Sequence, residues 1–221
     1  MFLGMSEAML ERLWQATLDT LVMVAVSGVI SILLGLLLGV ALYVTRPGRF
    51  LARPLLHGLL GIIVNIGRSI PFIILMVAIV PFTRLLVGSS IGINAAIVPL
   101  TVAAIPFVAR LVEGSLNEVS PGLIEAAQSM GATAPQIILK VLLPEARGGL
   151  ITAATITLIT LIGYSAMAGA VGAGGLGAIG INYGYNRYDS AVMISTVTIM
   201  VVLVQLIQMI GDYLVRKAQH K

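Results

Sequence analysis

SPGLIEAAQSMGATAPQIILKVLLPEARGG, residues 120–149, is the stretch on which the fold turns: it is polar enough to lie in water, yet its neighbours are not. Leu85–Ala109 before it and Gly148–Asn186 at its end contain no Asp, Glu, Lys or Arg. Ser120 followed by Pro121 makes an N-cap with proline at the first helical position. Leu123, Ala127 and Met130 then recur at helical spacing, which predicts one apolar face with Glu125, Gln128 and Ser129 turned away. Gly131 falls where a left-handed cap would end that helix. Thr133-Ala-Pro-Gln136 fits a capping box opening a second helix, which carries Ile137, Ile138, Val141 and Leu142 and stops near Pro144. Two short helices around a glycine turn are expected, held outside the membrane.

The flanking runs set the solvent. Of the 221 residues, 58% are hydrophobic and 10% charged, and the mean hydropathy is +1.06. Soluble domains carry about 25% charged residues, so the bilayer is the expected surroundings. Leu21–Thr45 and Ser190–Gly211 are also free of charge, and Leu59–Thr83 is interrupted only by Arg68. A span needs about 20 apolar residues. The reading is an all-α membrane protein: one transmembrane domain over residues 1–221, with five helices near 18–44, 58–83, 92–112, 150–171 and 190–214 and a polar loop at 114–149. The segments lack the alternation of barrel strands. The first apolar run is too long for a signal peptide and has no basic leader, so it is expected to act as the insertion signal.

Basic residues orient the chain. Arg46, Arg49 and Arg53 follow the first span, Arg110, Lys140 and Arg147 flank or occupy the long loop, and Arg216, Lys217 and Lys221 lie in the tail. The opposite side has only Arg12, Arg84 and Arg187. This bias puts the N-terminus outside and the C-terminus and long loop in the cytoplasm. Topology therefore accounts for the net charge of +4, and no nucleic-acid partner is implied. The absence of cysteine excludes disulfides and thiolate metal sites. His57 and His220 have no companion ligands in the sequence, so no metal is expected, and no nucleophile–base arrangement suggests a catalytic residue.

Three features inside the apolar runs stand apart. Arg68 is the one charge within a span, with two readings: snorkelling to the cytoplasmic headgroups, or facing a water-filled path or partner helix. Pro71 just after it would bend or break that helix. Ser31, Gly35 and Gly39 form a small-residue face suited to close helix packing, within the chain or in a dimer. In GYSAMAGAVGAGGLG, residues 163–177, the glycines allow an outer segment to bend. Met167 is its one long, flexible side chain between Tyr164 and Leu176. Met167 could plug a path on a two-fold axis or merely pack against a helix, with Tyr164 and Ser165 as further lining candidates.

The loop carries a resemblance. Glu125-Ala126-Ala127, three residues, Gly131, nine residues, then Val141-Leu142-Leu143-Pro144 is similar to the E-A-A-x3-G-x9-I-x-L-P signature of ABC importer permeases, with Val141 in place of Ile. LYVTRPG (42–48), VNIGRSIPFIIL (64–75), AAIVPLTVAAIPFVARLVE (95–113) and ITLITLIGYSAMAGAVGAGGLG (156–177) extend it to the small five-span methionine branch of that family. The resemblance implies a type I importer permease fold in the inner (cytoplasmic) membrane. It implies a coupling helix at Glu125, Ala126, Ala127, Gly131, Val141, Leu143 and Pro144 that docks in a groove of the ATPase. It further implies two ATPase subunits, a periplasmic or lipid-anchored methionine-binding protein, and a second copy of this chain. No G-x4-G-K-[ST] phosphate loop is present, so ATP would be bound by the partner, and no cofactor is expected here. A permease for another amino acid remains open. A secondary transporter would need midplane carboxylates, and a membrane enzyme a polar cluster; neither pattern is visible.

Overall fold

The computed structural model describes residues 5–219, so His220 and Lys221 lie outside the described residues. Among the described residues every regular element is helical. α1 (Glu7–Thr45) is a single helix of 39 residues, about 58 Å long at 1.5 Å per residue. It begins well before the apolar run at residue 18. Its extra turns carry Glu7, Glu11 and Arg12, which belong outside hydrocarbon roughly 30 Å thick.

The apolar stretch at 58–83 is not one helix. It divides into α2 (Pro54–Ser69), α3 (Phe72–Ala78) and α4 (Val80–Val87), and α2 meets α3 at 101°. Pro71 has no N–H to continue the ladder of α2; it stands as N-cap of α3, and its carbonyl takes the N–H groups of Ile74 and Leu75. At the second break Ile79 is the N-cap and Pro81 stands inside the first turn of α4, where its missing N–H costs nothing. α5 (Ile93–Asn117) absorbs Pro99 and Pro106 without stopping. α6 (Pro121–Ser129), α7 (Ala134–Ile137), a π-helical turn (Ile138–Leu142) and α8 (Leu143–Glu145) form the loop. α9 (Arg147–Ala170) returns through the bundle. α10 (Gly175–Ile179) and a second π turn (Gly180–Tyr185) fold back at the far end, and α11 (Ser190–Gln219) closes the chain. Four of these helices are long and apolar enough to span a membrane, and the bent α2–α3 pair would make a fifth.

The small-residue face of α1 is used within the chain. Ser31, Gly35 and Gly39 are all buried, and α5 presses against both glycines, with Val108 over Gly35 and Val112 over Gly39. This face is therefore not open to a dimer partner. Hydroxyls in the bundle bond back to their own helices: Ser27 donates to Met23 O at 2.5 Å and Thr157 to Ala153 O at 2.7 Å. Two apolar clusters matter most for the sites. One, at the loop end, joins Tyr43, Val112 and Leu116 to Ile124, Ala127, Ile137 and Leu142. The other, in mid-bundle, joins Met23, Phe72, Leu100 and Leu161.

The glycine-rich turn at 171–175 is held in place. Thr20 Oγ1 accepts the N–H of Leu176 at 2.9 Å, and Gly172 O accepts that of Gly92 at 3.0 Å. Gly175, Leu176 and Gly177 are buried, so the bend expected here is a tight return into the bundle.

Candidate functional sites

The loop forms a platform with one face displayed. Ile124 and Ala127 point into the loop-end cluster, whereas Leu123 is 44% and Met130 81% exposed. The apolar face expected at Leu123, Ala127 and Met130 is thus rotated: the inward pair is Ile124 and Ala127, one turn apart. Glu125 and Ala126 are exposed beside the displaced Leu123. Gly131 has φ +76°, and the turn is a Schellman motif: Gly131 N–H donates to Gln128 O at 2.9 Å and Ala132 N–H to Ala127 O at 3.0 Å. Thr133 opens α7, its N–H donating to Gln136 Oε1 at 2.8 Å. Beyond it the ladder widens into a π turn, in which Leu143 N–H reaches back to Ile138 O. Pro144, lacking an N–H, leaves the Lys140 carbonyl without its α-helical partner.

The signature residues are therefore brought together in two sets. Glu125, Ala126, Ala127 and Gly131 occupy the displayed helix and its cap. Val141, Leu143 and Pro144 sit on the following turn, where Leu142 rather than Leu143 is fully buried. A groove of about 520 Å³ runs beside Pro144 and Arg147, floored by Ser115 and Gly149. A smaller hollow of about 110 Å³ lies between Glu125, Gln128 and Arg49.

Next to the platform lies a polar cluster that the sequence does not announce. Arg46 and Arg49 both donate to Asn117 Oδ1, at 3.3 and 3.1 Å. Asn117 Nδ2 donates to Glu113 O at 2.8 Å. Arg110 donates to buried Glu113 at 2.6 Å and to Asn65 of α2 at 2.8 Å. The Arg49 guanidinium also covers the Tyr43 ring, 4.3 Å from its centroid. The i,i+3 spacing of Arg110 and Glu113 was the available signal; Asn65 and Asn117, distant in sequence, gave none. His57 is half-buried, and its Nδ1–H donates to Leu42 O at 3.0 Å, so it is a structural cap rather than a solvated ring. No group of metal-binding side chains occurs among the described residues.

At mid-bundle the break between α2 and α3 opens a cavity of about 120 Å³ lined by Arg68, Phe72, Phe107 and Tyr164. The Tyr164 ring stacks on Phe72, centroids 4.5 Å apart and planes 3° apart. Arg68 and Tyr164, chosen for unrelated reasons in the sequence, meet here. Met167 lies one turn along α9 and is 47% exposed. Ser165 is buried at 1%, with its hydroxyl donating to Ile162 O at 2.8 Å, so it is not on the face that Met167 presents.

Residues 31–220 match the family model described as "Binding-protein-dependent transport system inner membrane component". The chain is 56% identical over 211 residues to a probable D-methionine transport system permease protein MetI of Vibrio cholerae, covering 96% of this chain and 94% of that one. It is 58% identical over 155 residues to the D-methionine transport system permease protein MetI of Escherichia coli (strain K12), covering 70% of this chain and 71% of that one. Among solved structures, an inward-facing conformation of the MetNI methionine ABC transporter superposes with a TM-score of 0.96 at 58% identity, over 97% of this chain and 99% of that one. A crystal structure of an amino acid ABC transporter with histidines shares the fold at a TM-score of 0.80 and 18% identity. This chain is a transport subunit rather than an enzyme, and it belongs to the inner-membrane permease components of binding-protein-dependent ABC importers.

Proposed function

We propose that this permease carries methionine inward across the cytoplasmic membrane as a homodimer, driven by two ATPase subunits and supplied by an external methionine-binding protein. The observation that carries the coupling half of this reading is the displayed Glu125–Ala126 face on a buried platform. An exposed Leu123 and Met130 beside it make an apolar patch suited to a partner groove, and the Gly131 cap fixes its angle. Force applied there reaches α5 through Ile124, Ala127 and Leu116, and reaches α9 through Leu142 and Pro144. The methionine assignment rests on relatives more than half identical over most of the chain.

The exposed helices support the homodimer. Only Val64 of α2 is buried in the single chain, and five spans make too thin a wall for a solute path unless paired. The N-terminus is assigned outside and the coupling loop inside, on the distribution of Arg and Lys.

The test is uptake of radiolabelled methionine into vesicles holding this chain, its ATPase and its binding protein. ATP-dependent accumulation competed by methionine and not by polar amino acids supports the reading. ATP-dependent uptake of another solute would discard methionine and keep the importer; accumulation without ATP would overturn the mechanism.

A further inference from the structure

We infer that the elbow between α2 and α3 is a transient binding site for the carboxylate of an amino-acid solute in transit, with Arg68 as the anion partner and Phe107 and Tyr164 as the walls. The inference rests on the reading of this chain as an amino-acid permease and names where the solute touches it.

Depth comes first. Arg68 stands about 21 Å along the axis of α2 from Pro54 at 1.5 Å per residue. It faces Ala103 and Phe107 of α5, each about 15 Å from an end of that helix. Gly67, its neighbour, approaches the Pro106 ring at the same level. Arg68 is therefore near the middle of the bundle, and its side chain cannot reach either headgroup layer. Snorkelling, the simpler reading of the sequence, fails on this distance.

A guanidinium at that depth needs water or an anion. Among the described residues Arg68 has no hydrogen-bond or ion-pair partner; the one ion pair is Arg110 with Glu113. Nor, among the described residues, does a second copy have a carboxylate at this depth to offer. Of the chain's acids, Glu7, Glu11, Asp19, Asp189 and Asp212 lie toward helix ends, Glu118, Glu125 and Glu145 lie in or beside the loop, and Glu113 is already paired. Arg68 is exposed in the single chain and open to water between solutes, and the one anion left to displace that water is the solute's own carboxylate.

The surroundings suit that role. Pro71 breaks the helix here, and irregular backbone at membrane depth is tolerated where it is buried or lines a wet cavity. The space of about 120 Å³ equals roughly four water volumes at ~30 Å³ each, enough for a carboxylate and its α-carbon. An apolar side chain would lie along Phe107 and the Tyr164 ring, which Phe72 holds by stacking. The acid group is gripped and the rest is left loosely held, as passage requires.

The experiment is ATP-driven uptake of a methionine analogue bearing a side-chain diazirine and a free carboxylate, by the complete transporter in proteoliposomes, with illumination during turnover. The label is expected in peptides containing Phe107 and Tyr164, chased by excess methionine. Arg68→Met should lower it about tenfold, the loss of about one charge-assisted hydrogen bond, and Arg68→Lys should keep part of it. Wild-type transporter that accumulates methionine yet carries no label at these peptides overturns the site, as does Arg68→Met labelled and transporting like wild type. The wild-type label decides the matter even where Arg68→Met does not assemble. Wild type that accumulates no methionine overturns the parent reading instead, and is seen in uptake rather than label.

Discussion

Gly39 of α1 lies so close to α5 that a Cβ built on it would stand 2.6 Å from Val112 Cβ and 2.7 Å from Ala109 O. The second neighbour is backbone and cannot turn aside, so the two helices are locked at a separation that only glycine permits. Gly39→Ala should lower the stability of the detergent-solubilised chain by about 1–3 kcal/mol, read as a fall in the melting temperature. Gly58→Ala is the control, because nothing stands within 4 Å of its added carbon. A small gain in helix propensity is expected there. Equal effects at the two sites would sink the close-contact argument.

Gly131→Val should weaken coupling, because its φ of +76° disfavours a β-branched side chain. Asn visits that region far more readily, so Gly131→Asn should retain most methionine uptake while Gly131→Val and Glu125→Lys lose it several-fold. Membrane insertion should be unchanged in all three, judged by yield and size-exclusion profile. Normal uptake by Gly131→Val and Glu125→Lys would remove the loop from the coupling path.

Exposure of Met130 and Leu123 makes a separate prediction, since neither supports the fold from where it sits. Met130→Ser and Leu123→Ser should leave the stability of the isolated chain within about 0.5 kcal/mol of wild type. Each should weaken capture of the ATPase subunit by about tenfold if it fills a docking pocket. Pull-down titration with the purified ATPase reads this directly, and unchanged affinity for both would move the docking face elsewhere.

These outcomes bear on what the sequence could reveal. The helix cap at Gly131, the capping box at Thr133 and the break at Pro71 are local effects, each set by residues within one turn, and all were legible. The direction in which α6 turns its apolar side was not. Leu123, Ile124, Ala127 and Met130 are all apolar, and the choice among them is made by where Leu116 and Ile137 happen to stand. The role of Gly35 and Gly39 was ambiguous for the same reason, since a small face does not say whose helix it meets. Arg68 was legible as an anomaly, but its depth depended on α2 beginning at Pro54.

Arg110 joins α5 to α2 by gripping Glu113 and Asn65 together, with the Arg110 side chain 25% and that of Glu113 9% exposed. Removing one partner of such a pair leaves the other poorly solvated, though the exposure of Arg110 moderates the penalty. Arg110→Met alone should cost roughly 1–3 kcal/mol of stability, and Arg110→Met with Glu113→Leu should cost less than the single change. Thermal unfolding of both variants measures the difference, and a double variant weaker than the single would mean the pair contributes net stability of its own.

The position of Met167 fits a plug or a packing side chain, and only transport separates them. It is exposed in the single chain, one turn beyond a Tyr164 that is pinned by Phe72. A flexible thioether at a two-fold contact could seal the path when the two copies close and yield when they part. Met167→Ala should then raise methionine leak through ATP-free proteoliposomes several-fold, while Met167→Leu restores the seal in part. If Met167 only packs against a neighbour, the leak stays at the wild-type level and the melting temperature falls instead, so the two measurements together assign its role.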